Sequence, residues 1–318
     1  MISKTKDINF SAITHTSDLS FIAFRDYKWQ YVAIIISTIA ILALGLGGMF
    51  AIIFLAAGFY FGGEIVKKKR KIFQQFAQDT NWTYTPIAMT QPPTGIRWAG
   101  RSPQYEHAVT GEFAGSYFVL YKYTYTVGSG KSSSDYPTTV IEFQLPTDFP
   151  YMLLDSKNNS RGAVHIPKAS QKISLEGNFD AEFQMYAKDN QQIDALSVIT
   201  PDVMQTVLDT GSRYDIEIYK NRLYLYAEGD LRSAASIDKL FLGAEKILAE
   251  LQHKAKTFRP SQPIKELEEK DMKGLTSLLG VNTSVSMSHP AEMLNLAGLV
   301  IAVIAMFGML FFIFSVFA

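Results

Sequence analysis

Residues Gly128 to Ser133 read GSGKSS, the ending of a phosphate-binding loop, in which backbone amides cradle phosphate oxygens and a lysine reaches the outer phosphates. The full pattern needs a glycine where Tyr125 stands, and it needs a helix after the serine, where SSDYPTT and a strand pattern follow instead. The segment therefore reads as a hairpin loop. His15, His107, His165, His253 and His289 show no spacing that would bring two imidazoles onto one helix face, so no metal site is expected. Asp148, Asp155, Asp180, Asp194, Asp202 and Asp209 fall at turn and helix-start positions, and none forms a pair spaced for acid and base roles. The chain has no cysteine, which excludes disulfides, thiolate zinc sites, iron–sulfur clusters and cysteine nucleophiles. No catalytic residue and no cofactor is expected.

Two constellations remain, and both suit binding better than reaction. Tyr117, Val119, Tyr121, Tyr123 and Tyr125 alternate along one strand, which puts four phenol rings on one face. Such a stripe is suited to stacking on a ligand, although packing between strands is the plainer reading. Lys67, Lys68, Lys69, Arg70 and Lys71 are the densest charge cluster in the chain. Next to a bilayer, each basic residue is worth about 1 kcal/mol of attraction to anionic lipid headgroups.

Charge layout supplies the bilayer. Net charge is zero, from 30 basic and 30 acidic side chains, yet residues 31–63 and 294–318 contain no charged residue. The first block would be about 50 Å long as one helix, against a hydrocarbon core of roughly 30 Å. Gly45, Gly47 and Gly48 lie at its centre, so a transmembrane hairpin is the expected form, with one long tilted helix as the rival. Residues 294–318 are long enough to span once. The basic cluster after the first block places the following domain in the cytoplasm, and Trp29 and Tyr31 mark an interfacial belt at the entrance. No Asp, Glu, Lys, Arg or His lies in either block, which argues against transport. Residues 72–293 carry 21 basic and 26 acidic side chains, a poor balance for nucleic acid.

The elements that must position these groups are legible in part. Ile72, Phe73, Phe76 and Ala77 continue a helix out of the basic cluster to about Asp79. Phe113 to Val127 and Thr138 to Leu145 alternate as strands, and Lys172 to Leu175 and Phe179 to Tyr186 look like further strands. Thr200 followed by Pro201 is an N-cap with proline at the first helical position, and Gly211 is the stop. Tyr214 to Tyr219 and Arg222 to Ala227 alternate around Lys220 and Asn221, a two-residue hairpin signal. Ser233 or Ser236 then caps a long helix whose apolar residues Ile237, Leu240, Phe241, Ala244, Ile247, Leu248 and Leu251 recur at three and four. The expected fold class is α+β: an antiparallel sheet covered by that long C-terminal helix, plus transmembrane helices. The expected organisation is an N-terminal cytoplasmic segment (1–30), a transmembrane hairpin (31–63), the α+β domain (64–256), a polar linker (257–293), within which Ile264 to Leu279 is a short helical stretch, and a C-terminal span (294–318).

The phrase DALSVITPDVMQTVLDTGSRYDIEIYKNRLYLY, Asp194 to Tyr226, resembles a family of bacterial membrane proteins that carry a cytoplasmic α+β domain of unknown function behind an N-terminal transmembrane hairpin. The resemblance implies a multi-pass protein of the bacterial plasma (inner) membrane, and it implies no activity. The expected partners are the lipid bilayer, anionic lipid headgroups and a protein of unknown identity, with no nucleic acid. The expected role is a non-enzymatic binding or scaffold module at the cytoplasmic face. The alternatives are an enzyme acting on lipid or envelope intermediates and a small-molecule sensor using Tyr117, Tyr121, Tyr123 and Tyr125.

Overall fold

The computed structural model describes residues 4–10, 67–87, 101–127, 134–159, 171–175, 177–228 and 234–264. The chain divides into two compact units, Met1–Ser17 with Arg70–Thr283 and Asp18–Lys69 with Ser284–Ala318. Apart from residues 67–69, the described residues belong to the first. Among them no helix is long and apolar enough to cross a membrane. The blocks 31–63 and 294–318 lie outside the described residues, as do Trp29, Tyr31, residues 128–133 and most of the stretch expected to be helical after Ile264.

Helix α1 covers residues 67–79 and buries Phe73, Phe76 and Ala77. It ends because Asn81 takes a left-handed φ of 58°. The Trp82 amide then reaches back to the Ala77 carbonyl at 2.7 Å and the Asn81 amide to Gln78 at 3.1 Å, which satisfies two carbonyls of the last turn. The Trp82 ring closes the motif against Phe76 at 5.7 Å.

A seven-stranded antiparallel sheet follows: β1 (Thr83–Ile87), β2 (Arg101–Phe113), β3 (Ser116–Val127), β4 (Ser134–Ser156), β5 (Lys172–Ile173), β6 (Phe183–Ala187) and β7 (Asp215–Glu228). The order is β1-β2-β3-β4-β6-β5, with β7 also paired to β4. Four expected strand readings need correction. The hairpin expected around Lys220 and Asn221 is one continuous strand, β7, antiparallel to β4 on both sides of Lys220. Phe113 belongs to β2, because Ala114 (φ 50°) and Gly115 (φ 77°) form a two-residue turn with both central residues left-handed, and it aligns Phe113 with Ser116. Phe179–Glu182 is a helical turn, α2, and only Phe183 onward is strand. The strand from Thr138 does not stop at Leu145: β4 runs on to Ser156, through an irregular stretch between Gln144 and Phe149.

Helices α3 (Gln192–Val198), α4 (Pro201–Gly211) and α5 (Ala234–Thr257) complete the unit. Thr200 caps α4, its hydroxyl accepting from the Val203 amide. Gly211 is the last residue of α4, and a Cβ there would meet Ile216 at 3.1 Å and Ile247 at 3.2 Å, so close packing adds to its role as the helix end. Helix α5 begins at Ala234, which places Ser236 inside the helix instead of at its cap. Ile237, Leu240, Phe241, Ala244, Ile247, Leu248 and Leu251 are all buried, whereas Leu242 lies on the exposed side.

The main core lies between one face of the sheet and helices α1, α4 and α5, joining Phe73 and Phe76, Val203 and Val207, and Leu240 to Leu251 with Phe118, Leu120, Ile141, Phe143, Ile216, Ile218, Leu223 and Leu225. Trp82 is central to it, stacked on Phe241 at 5.6 Å and edge-on to Phe118 at 4.7 Å. Residues that alternate with these point to the other face and form a second buried cluster: Ala108, Val119, Tyr121, Tyr123, Tyr125, Val140, Tyr224 and Tyr226. At Glu106 to Val109 a bulge, with His107 at φ 54°, lets Tyr105 and Ala108, an odd number of residues apart, both face the second cluster. His107 itself stacks on Phe73 at 5.1 Å and shares a hydrogen bond with the Tyr84 hydroxyl at 2.9 Å, which is a packing role.

Candidate functional site on the tyrosine face of the sheet

Strand register sets this face. Val119 of β3 lies opposite Glu142 of β4, and Glu142 lies opposite Tyr224 of β7. One row along, Tyr121, Val140 and Tyr226 are aligned in the same way. Side chains directly opposite approach to roughly 5 Å and diagonal ones remain within reach of an aromatic ring. The face is therefore a grid of phenols with a carboxylate in the first of these rows.

Of the tyrosines that the sequence singles out, three come together. Tyr123 stacks on Tyr125 and Tyr125 on Tyr136, each at 5.6 Å, and Tyr105 leans on Tyr121 at 6.0 Å and on Tyr123 at 5.1 Å. Tyr121, Tyr123 and Tyr125 are buried in this packing, whereas Tyr117 stands apart with 44% exposure. The basic residues take another place: Lys67 to Lys71 are the first described residues of α1, with Lys67, Arg70 and Lys71 exposed and Lys68 and Lys69 half-buried.

Spacing does not single out the acidic members, because their partners lie 9 and 80 residues away in the chain. The Glu142 carboxylate accepts from the Arg222 guanidinium at 2.5 Å. Burial pushes the Glu142 pKa up, and the Arg222 charge and hydrogen bond work against that rise. Tyr226 donates its hydroxyl to the Glu217 carboxylate at 2.5 Å. Burial raises Tyr121, Tyr151 and Tyr226 far above the usual phenol range, and a nearby carboxylate, Glu142 for Tyr121 and Glu217 for the other two, adds to it.

A second acidic group lies further along β4. Asp215 accepts from the Ser156 amide at 2.9 Å and from the Asn159 side-chain amide at 2.7 Å. Register pairs Leu153 with Glu217 and Leu154 with Ile216, so Asp155 comes next to Asp215 across the strands. Burial, followed by the Asp155 charge, raises Asp215 to about 8, although its two hydrogen bonds favour the ionised form. Asp155 is one of the carboxylates noted from sequence, and its partner is found only through this register. Asp194 is buried and structural, holding the Ser261 amide at 3.1 Å and hydroxyl at 3.0 Å. Asp180 likewise caps a local turn through Ser174 and the Leu175 amide.

Among the described residues, no three His, Asp or Glu side chains converge in a way that could hold a metal ion. The arrangement can hold protons on buried carboxyls and orient phenols. Fold and face together define an α+β protein built on one antiparallel sheet that is buried on both sides. No protein-family model matches the chain. No curated protein matches it either. A solved structure is similar at low level: the crystal structure of the mycobacterial trehalose monomycolate transport factor A, with a TM-score of 0.41 and 9% identity, covering 60% of this chain and 96% of that one.

Proposed function

We propose that this chain is a membrane-anchored binding module whose α+β domain faces the cytoplasm, held by residues 31–63 as a hairpin and by residues 294–318 as a single span. The observation that supports this reading is the docking of the segment before the first apolar block onto the domain that follows it. Thr5 donates its amide and its hydroxyl to one carboxylate oxygen of Glu245, at 2.7 and 2.6 Å. Ile8 is buried in the main core, and Phe10 packs on Phe76 at 5.9 Å and on Phe241 at 5.8 Å. A block that leaves one compact unit and returns to it crosses a bilayer an even number of times, which favours the hairpin over one tilted helix. The basic residues Lys67 to Lys71 favour the cytoplasmic side under the positive-inside rule, and they share a helix with the buried Phe73 and Phe76.

The absence of cysteine makes the test clean. Single cysteines at the exposed positions Asp7 and Lys157 should both resist a membrane-impermeant thiol reagent in intact cells and both react once the cells are opened. Labelling of one and not the other in intact cells would overturn the hairpin. The binding role is tested by a photocrosslinker at Ile193, which is 80% exposed on α3. One recurrent crosslinked protein is the expected result, and a chain crosslinked to nothing counts against the reading.

A further inference from the structure

The second face carries three buried polar atoms with no hydrogen-bond partner among the described residues: the Tyr105 hydroxyl, the Tyr121 hydroxyl and the Glu142 oxygen Oε2. They belong to one neighbourhood. Tyr105 and Tyr121 are 6.0 Å apart between ring centres. Val119 opposite Glu142 and Tyr121 opposite Val140 place Tyr121 and Glu142 diagonally on adjacent strands of the same face. The Glu142 charge reaches Tyr121 strongly enough to raise its pKa. The other carboxylate oxygen of Glu142, Oε1, is taken by Arg222.

Three such orphans together are costly. Each buried polar group without a partner costs about 1–3 kcal/mol, and a carboxylate oxygen more. Folded proteins remove such costs by enclosing water wherever two to four polar groups surround a space large enough for one molecule. The needs here are complementary. Glu142 Oε2 can only accept, while each phenol can donate or accept. A molecule with two donors and two acceptor sites bridges all three. A metal ion fits poorly, since neutral phenols are weak ligands and one carboxylate oxygen supplies little charge.

We propose that Tyr105, Tyr121 and Glu142 form an internal hydration site, in which ordered water donates to Glu142 Oε2 and bonds to both phenol hydroxyls. The tyrosine face then has a wet polar centre inside an aromatic rim, and water holds Glu142 in place for Arg222.

The test is the sign of a conservative substitution in the full chain, purified in detergent. Tyr121→Phe keeps the ring and removes only the hydroxyl. If water bonds that hydroxyl, Tyr121→Phe should lower the thermal midpoint, because the water and Glu142 lose a partner. If the hydroxyl is a true orphan, the substitution should raise the midpoint or leave it unchanged, and that overturns the proposal. Counting long-lived internal waters by magnetic relaxation dispersion gives an independent reading. The wild type should hold at least one more than Tyr105→Phe/Tyr121→Phe, and equal counts would refute the site.

Discussion

Tyr226 donates its hydroxyl to the carboxylate of Glu217, nine residues earlier in the same strand, at 2.5 Å. An extended strand advances about 3.3 Å per residue, which would set the two residues some 30 Å apart. They touch because β7, a single strand, bends at Lys220, whose φ is 50°, opposite the irregular stretch of β4. Residues 228 to 222 align with residues 138–144 of β4 and residues 218 to 216 with residues 152–154, so the two strands stay antiparallel through the bend. The same irregularity explains why Ile218 and Leu223, an odd number of residues apart, share the main core. The Lys220-Asn221 signal thus marks a bend within one strand, where the sequence pattern suggested a hairpin.

Tyr226→Phe should destabilise the domain by about 1–3 kcal/mol, the range for a hydrogen bond to a carboxylate. Urea unfolding monitored by circular dichroism measures it, and a change below about 0.5 kcal/mol would mean that the bond is not formed in solution.

Arg222 and Glu142 should be coupled. Arg222→Met strips the charge partner from a buried carboxylate, at a cost of about 2 kcal/mol; the cost is below that of a fully buried pair because the Arg222 side chain is 37% exposed against 5% for Glu142. Adding Glu142→Gln to Arg222→Met should recover part of the loss. A double-mutant cycle with no coupling energy would show that the two side chains are independent.

Asp215 should make stability depend on pH with a defined sign. In the folded protein it keeps its proton up to about pH 8, whereas its ordinary value is 3.8. Between those values the folded state binds more protons than the unfolded chain, so the contribution present at acid pH is lost as pH rises through the window. Asp215→Asn stays neutral throughout. Its urea midpoint should fall less than that of the wild type between about pH 4 and pH 8, and parallel slopes for the two proteins would contradict the assignment.

Gly111→Ala should be among the most damaging small substitutions. A Cβ at that position would lie 2.1 Å from the Trp82 indole, which sits in the middle of the main core and donates to the Glu112 carbonyl at 3.2 Å. The ring cannot move without disturbing Phe76, Phe118 and Phe241. The expected loss is about 3 kcal/mol with a shift in tryptophan emission. Unchanged emission and stability would mean that Trp82 packs elsewhere.

Features written within a few residues were legible before the fold was seen. Thr200 and Pro201 open α4 through a hydroxyl that reaches three residues on. The apolar spacing from Ile237 to Leu251 marks the buried side of α5. Less legible were the strand ends, since alternation continues across the Ala114-Gly115 turn and the same residue types run from Thr138 past Leu145 to Ser156. Phe179 to Tyr186 misled for a related reason: its aromatic residues suit a strand, but Phe179–Glu182 winds into a helical turn first.

The sequence alone determines where charge is excluded, where a basic cluster meets helix α1, and which residues turn inward along each helix and strand, because these properties depend on neighbours within about one helical turn or two strand positions. Partnership was decided only in three dimensions. Arg222 finds Glu142 across 80 residues, Asp215 finds Ser156 across 59, and Thr5 finds Glu245 across 240. The first two pairings follow from strand register, which bulges such as those at Lys220 and His107 set, and shifting the register by one residue would send each side chain to the opposite face; the third joins the N-terminal segment to helix α5.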